Sequence, residues 1–176
     1  MSDTCITLIP LQSADRPQFI RDLQTAFEIA VLEEYGPQEE EIVPAGEIEA
    51  SLDAPGAEAF RVVSGGQIIG GVVVSIHPQT QRNSLDLFFL NPECHSKGLG
   101  LAVWQAIEEQ YPKTRTWETI TPYFERRNIH FYVNKCGFHI VEFFNPHHPD
   151  PHHPGSDLVG RDYYFRFEKD MPAPSA

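Results

Sequence analysis

The sequence has few positive charges and no long apolar segment. It contains 13 lysine and arginine residues against 25 aspartate and glutamate residues, which gives a formal net charge of −12. Because a surface that binds nucleic acid is normally basic, this balance argues against nucleic acid and favours a cationic ligand such as an amine. No apolar run reaches the roughly 18 residues of a membrane span, and the N-terminal stretch lacks a basic, apolar signal segment. We therefore expect a soluble, cytoplasmic protein with no membrane partner.

Cysteine is also scarce. Cys5, Cys94 and Cys136 form no paired spacing, and an odd number without a secretion signal predicts free thiols in a reducing compartment. With 41% hydrophobic and 11% aromatic residues, the 176 residues can still bury one sizeable core. We expect one domain over residues 1–170, followed by a flexible C-terminal tail at residues 171–176.

Two common phosphate-binding signatures are missing, yet one glycine pair stands out. The sequence has neither GxxxxGK[ST] nor GxGxxG, but residues 93–112 read ECHSKGLGLAVWQAIEEQYP. Apolar residues recur at helical spacing from Leu99 to Ile107, and Gly98 and Gly100 stand where that helix would begin. Since glycine there adds no packing, we expect an anion to lie against the first N–H groups of the helix.

Hydrophobic patterning predicts strands and helices in alternation. The predicted strands are 5–10, 58–64, 67–76, 84–92, 113–118, 138–144 and 158–169. The first predicted helix begins near Pro17 and ends at Tyr35. The other predicted helices lie near 44–53, within 93–112 and at 122–136. Gly65 and Gly66 predict a hairpin, and Gly137 predicts a left-handed helix end. Early hairpins followed by strand–helix–strand units predict a mixed α/β sheet with helices on both faces.

Two stretches resemble motifs of the GCN5-related N-acetyltransferase (GNAT) family. Residues 95–100, HSKGLG, are similar to the acetyl-CoA-binding motif [QR]xxGxG[AG], with His95 where the family usually has Gln or Arg. Residues 127–138, RNIHFYVNKCGF, resemble the later motif N-x-x-A-x-x-[FL]-Y-x-x-x-G-F. The element order from residue 5 to 169 also fits. The resemblance implies a mostly antiparallel central sheet of about six to seven strands, splayed in the middle.

The resemblance further implies acetyl-CoA as co-substrate and no metal. Its pyrophosphate would contact the start of the glycine-rich helix, and its pantetheine arm would lie beside the preceding strand, which Pro92 and the loop would splay from its neighbour. The cofactor-binding candidates are Phe88, Leu90, His95, Ser96, Lys97, Gly98, Leu99, Gly100, Leu101 and Asn128. For His95 two interpretations stay open, a weaker phosphate contact than arginine makes or a solvated loop residue.

Three residues are candidates for catalysis. Tyr132 matches the family tyrosine that assists the leaving thiolate, the alternative being a core aromatic. The attacking amine must lose a proton, and Asp86 and Glu118 are the candidate bases, unless they are solvated or ion-paired strand residues. Strand alternation predicts that Asp86 faces away from Leu85 and Leu87, whereas Glu118 is expected at a strand end beside the cleft.

Two further features allow other chemistry. His147, His148, His152 and His153 lie in a proline-rich segment, where they could hold Zn²⁺ or, as we expect, belong to a mobile loop lining the acceptor pocket. Cys94 could form an acyl-cysteine, but the family transfers directly in a ternary complex. The resemblance thus implies an N-acetyltransferase for a primary amine of a small molecule or peptide, with a homodimer as an option. A non-catalytic acyl-CoA sensor is the alternative function.

Overall fold

The computed structural model describes residues 5–39, 41–94, 98–152 and 163–173. The described strands are β1 Ile6–Pro10, β2 Ala57–Ser64, β3 Gln67–Ser75, β4 Arg82–Leu90, β5 Thr116–Pro122, β6 His139–Phe144 and β7 Tyr164–Asp170. The described helices are α1 Arg16–Tyr35, α2 Ala45–Asp53, α3 Leu99–Gln110 and α4 Arg126–His130. The predicted order of elements is confirmed along the chain.

The seven strands form one sheet in the order β1-β2-β3-β4-β5-β7-β6. Neighbouring strands run antiparallel except for β4 and β5, which pair in parallel. Parallel neighbours need a crossover connection, and α3 supplies it between β4 and β5. The predicted mixed, mostly antiparallel sheet is therefore confirmed.

Helices cover both faces of the sheet. On one face, α1 and α2 bury Leu23 and Ile48 against Val73 of β3. On the other face, α3 buries Trp104 against Trp117 of β5, with ring centroids 5.3 Å apart. Because β3 contributes side chains to both clusters, its nearly continuous apolar sequence is that of a central strand.

The structure corrects several predicted boundaries. Strand β5 covers Thr116–Pro122 instead of 113–118, because its second half pairs with β7 as far as Pro122 opposite Tyr164. The last helix is short: α4 gives way to a π-helical turn at Phe131–Lys135. Gly137, with φ of +86°, follows that turn and provides the expected left-handed residue.

The described residues also bear on membrane and thiol chemistry. None of the described helices is both long and apolar enough to cross a bilayer. The three cysteines are free thiols, and burial raises the pKa of Cys136 to about 12. Cys136 is thus a buried packing residue.

Candidate active site

Strands β4 and β5 separate in the middle of the sheet. Their pairing runs only from Arg82 opposite Thr116 to Leu85 opposite Thr119. Beyond this point β4 continues to Leu90 against β3, and β5 continues against β7. We call the Leu85–Thr119 pair the apex, because the gap between the two strands opens there. The predicted splay is confirmed, but its expected cause is wrong, since the strands part well before Pro92.

A β-bulge lies next to the apex. Val74 of β3 pairs with Leu85 and Val73 pairs with Leu87, so Asp86 is an extra residue in β4. A bulge interrupts strand alternation, and Asp86 and Leu87 consequently line the same cleft. The expectation that they face opposite sides is therefore wrong. The Asp86 carboxylate accepts hydrogen bonds from the hydroxyl of Ser75 and, at 2.6 Å, from that of Ser84.

The phenol of Tyr132 reaches the apex from the α3 face. The Thr119 hydroxyl donates to the Leu85 carbonyl oxygen at 2.9 Å, and it lies close enough to the Tyr132 phenol to influence the pKa of that phenol. The Tyr132 ring is buried against Phe138 and Phe167. This burial raises the pKa of Tyr132 above its ordinary value. The phenol therefore carries its proton throughout the neutral range and can act as a hydrogen-bond donor.

Glu118 does not occupy its expected position. It is the third residue of β5 and lies opposite both Ser84 and Glu168, inside the paired part of the sheet. Its carboxylate is 3.5 Å from the guanidinium of Arg166. Glu118 lines a small polar hollow beside Arg82, which is separate from the cleft at Asp86. The prediction that it ends a strand beside the cleft is wrong because β5 extends four residues further.

The N-terminus of α3, the glycine-rich helix, has the free N–H groups that an anion-binding site requires. Gly98 has φ of +72° and precedes α3, and among described residues no side chain caps the helix N-terminus. The first-turn N–H groups of Leu99, Gly100 and Leu101 therefore face outward without an intrahelical partner. A side chain at Gly100 would come within 3.1 Å of the Phe131 ring, so this glycine also permits close packing. His95, Ser96 and Lys97 lie outside the described residues.

An apolar wall connects α3 with the opening between the strands. The rings of Phe88 and Phe131 stack with centroids 6.0 Å apart, and both are partly buried. Leu90 is the last residue of β4. Its side chain would lie 3.8 Å from the Cβ atom of any larger residue at position 100. Asn128 is half-buried in α4, four residues before Tyr132. A strand edge, an apolar wall and uncapped helix N–H groups are features that acetyl-CoA could use.

Sequence reasoning missed Glu125, a buried carboxylate in the cleft. Glu125 is the N-cap residue of α4, is only 9% exposed, and lines the same cleft as Asp86. Its carboxylate makes no hydrogen bond or ion pair with the residues that the structure describes. Burial raises its pKa above the ordinary value, and nearby Glu33 adds to this while Arg127 opposes it. The predicted helix at 122–136 contains Glu125, so the sequence pattern gave no signal that this residue would precede α4 and line the cleft.

The histidine-rich segment makes structural contacts in its described part. His148 lies 2.7 Å from Glu142 and stacks on Phe144. Asp150 accepts hydrogen bonds from the backbone N–H of His152 and from the hydroxyl of Tyr164, which lines the cleft. Within the described ranges, no group of three or more histidine, cysteine or acidic residues could hold a metal ion. His147 is exposed, and His153 lies outside these ranges.

The comparison with known families identifies the chain. The family model described as acetyltransferase (GNAT) matches residues 18–138, which is more than half of the sequence. The chain belongs to the acetyltransferase (GNAT) family. The family match begins in α1 and ends directly before β6, so it spans the whole apex of this acetyltransferase.

The chain is also similar to one curated protein in sequence and to several solved structures in fold. The uncharacterized protein YrkN of Bacillus subtilis (strain 168) is 50% identical over 167 residues, covering 91% of this chain and 90% of YrkN. The ribosomal-protein-S18-alanine N-acetyltransferase from Escherichia coli has a TM-score of 0.67 at 14% identity, covering 98% and 99% of the two chains. The spermidine N-acetyltransferase from Vibrio cholerae, in complex with CoA and spermine, has a TM-score of 0.67 at 14% identity, covering 94% and 95%. At such low identity these structures share the fold.

Proposed function

We propose that this acetyltransferase is a cytoplasmic, single-domain enzyme that transfers an acetyl group from acetyl-CoA to a primary amine of a small molecule or peptide. The amine attacks directly, within a ternary complex. The observation that carries the proposal is the apex, where three features meet: the opening between β4 and β5, the phenol of Tyr132 and a cleft that contains two carboxylates. Acyl transfer needs an acid near the leaving group and a proton acceptor near the nucleophile.

The acetyl-CoA side uses the start of α3 and the end of β4. The N–H groups of Leu99, Gly100 and Leu101 would hold the pyrophosphate, because the positive end of the helix dipole favours an anion. Phe88 and Leu90 would form the apolar wall beside the pantetheine arm. The thioester supplies an activated acetyl group, which this arrangement directs toward the apex.

Tyr132 assists the leaving group in this proposal. Its pKa is raised by burial, so a fully transferred proton is less favourable than a strong hydrogen bond to the sulfur that gains charge. On the opposite side of the apex, Asp86 remains a candidate base because it lines the cleft. Glu118 no longer has the geometric support that suggested it as a base.

The test measures release of the CoA thiol from acetyl-CoA over a panel of primary amines. We expect turnover with at least one amine, and we expect Tyr132→Phe to lower kcat by about 100-fold, as loss of a transition-state donor does. Its acetyl-CoA Kd should remain close to that of the wild type. Tyr123→Phe is the matched control, because Tyr123 is 57% exposed.

Binding of acetyl-CoA without acetyl transfer would support the alternative function, a non-catalytic acyl-CoA sensor. If acetyl-CoA raises the melting temperature according to RT ln(1 + [L]/Kd) but no amine is ever acetylated, the protein is an acyl-CoA sensor. The buried ring of Tyr132, which lies within an aromatic cluster, is the observation that favours this second candidate. Absence of both effects would contradict both functions.

A further inference from the structure

We infer that the acceptor is a small monoamine with an apolar body, and that Glu125 is the carboxylate that binds its ammonium group and removes the proton before attack. This inference rests on the proposed function and specifies its acceptor side. It is carried by the composition of the cleft, by the size of the cleft and by the surroundings of its two carboxylates.

The walls of the cleft are mostly apolar. Val31 of α1, Leu87 of β4 and Ile120 of β5 line it from three elements, and Phe124 lies next to Glu125. Burying a hydrocarbon or aromatic group of the ligand against such walls is favourable. A second charge on the ligand would lose its hydration there, and apolar side chains offer no hydrogen bond to replace it. The walls therefore select a ligand whose charge is confined to one end.

The cleft is small. The part formed by described residues has a volume of about 110 Å³, which is below the roughly 300–1,000 Å³ of pockets for drug-sized ligands. An acceptor of few heavy atoms fits this space better than a folded peptide segment. The net charge of −12 attracts a cation toward the protein.

The two carboxylates in the cleft have different surroundings. Asp86 receives hydrogen bonds from the Ser75 and Ser84 hydroxyls, one on each carboxylate oxygen, which stabilise its charge. Glu125 is 9% exposed and has no hydrogen-bond or ion-pair partner among described residues, and the nearby charge of Arg127 offsets only part of the effect of its burial. A buried carboxylate in this condition is costly unless a cation joins it. An ammonium group supplies that cation, so Glu125 is the better binding partner.

Glu125 is also placed to act together with Tyr132. The negative charge of Glu125 adds to the rise in the pKa of Tyr132 that burial causes. Buried carboxylates accept a proton more readily than exposed ones, which suits a base at neutral pH. The cleft thus presents a proton acceptor on the amine side, while Tyr132 presents a proton donor at the apex.

The proton and bond changes balance as follows. The ammonium group of the acceptor gives one proton to the Glu125 carboxylate and becomes a neutral amine. Its nitrogen lone pair forms a C–N bond to the thioester carbonyl carbon, and the C–S bond then breaks with its electron pair on sulfur. The Tyr132 phenol donates a hydrogen bond to the leaving thiolate, which takes its proton from the acylated nitrogen. The products are the N-acetyl amide, CoA thiol and one proton, which Glu125 returns to water.

The experiment compares three acceptors at saturating acetyl-CoA: 2-phenylethylamine, phenylalanine and spermidine. Phenylalanine has the same apolar body but adds a carboxylate that Glu125 would repel, and spermidine adds charges without an apolar body. We expect kcat/KM for 2-phenylethylamine to exceed both others by at least about tenfold. Glu125→Gln should lower that kcat/KM by about 100-fold, Asp86→Asn should lower it less, and the exposed-residue control Glu49→Gln should leave it unchanged.

Calorimetry separates this inference from the proposed function. Glu125→Gln should keep the acetyl-CoA Kd but weaken binding of 2-phenylethylamine to the CoA-saturated protein. Faster acetylation of spermidine or phenylalanine, or a Glu125→Gln variant within threefold of the wild type, would overturn the inference while the proposed function stands. If no amine is acetylated, the proposed function fails, and the base role of Glu125 fails with it. The recognition role then holds only if 2-phenylethylamine binds the wild type more tightly than Glu125→Gln.

Discussion

Replacing Glu125 by glutamine should make the folded protein more stable at neutral pH. In the folded state burial raises the pKa of Glu125 above its ordinary value of 4.5. Between the unfolded and folded pKa values, the folded protein therefore binds more protons than the unfolded chain, and its stability falls as the pH rises. Glutamine has nearly the same shape and no charge, so the variant does not carry this pH-dependent cost.

The size of the effect follows from the burial of the group. A carboxylate that is 9% exposed and has no described hydrogen-bond partner carries a desolvation cost of about 1–3 kcal/mol. At pH 8 the Glu125→Gln variant should exceed the wild type by about this amount in its free energy of unfolding. For a chain of this length each kcal/mol corresponds to about 2–4 °C in Tm. At pH 4, where the carboxyl is mostly protonated in both states, the two proteins should be nearly equally stable.

Urea unfolding at pH 4, 6 and 8 measures this difference, with the m-value as a check on two-state behaviour. Glu49→Gln is the matched control, because Glu49 is an exposed glutamate of α2, and its effect should stay within about 0.5 kcal/mol at every pH. A Glu125→Gln variant that is less stable than the wild type at pH 8 would refute the reasoning. A gain in stability that does not change with pH would refute it as well.

Two other substitutions test the construction of the apex and of the sheet. Thr119→Val removes the hydroxyl that donates to the Leu85 carbonyl oxygen, so urea unfolding should show a loss of about 1–3 kcal/mol; unchanged stability would contradict this hydrogen bond. Gly70→Ala would place a Cβ 2.1 Å from a backbone oxygen of β4 and should cost about 1–3 kcal/mol. Gly46→Ala in α2, where nothing lies within 4 Å, should instead gain about 0.5–1 kcal/mol, and equal effects of the two alanines would contradict this.

The fold could be predicted because local, periodic patterns of apolar residues and glycines determine most of its strands and helices. The apolar sequence of β3, the glycine pair between β2 and β3, and the helical spacing in α3 all agree with the observed elements. The end of β5 could not be predicted in this way, since Thr119–Pro122 form a strand only through their pairing with β7. Pro122 looked like a helix start, but a proline is compatible with the last residue of a strand.

The site was harder to predict because it depends on register between distant strands. The bulge at Asp86 exists only relative to β3, so simple alternation misplaced the neighbouring Leu87. Tyr132 could be found from its motif, whereas its contact with Thr119 required the sheet order. Glu125 belongs to no quoted motif, and its burial arises from the cleft between α1, β4 and β5. Sequence patterns identify elements, but contacts between them follow from packing.

The position of bound CoA tests the central claim most directly. A crystal structure of the protein with CoA should show the pyrophosphate on the first N–H groups of α3 and the thiol at the apex, within about 3.5 Å of the Tyr132 hydroxyl oxygen. CoA bound at another surface, or a thiol that lies away from the opening between β4 and β5, would contradict the account.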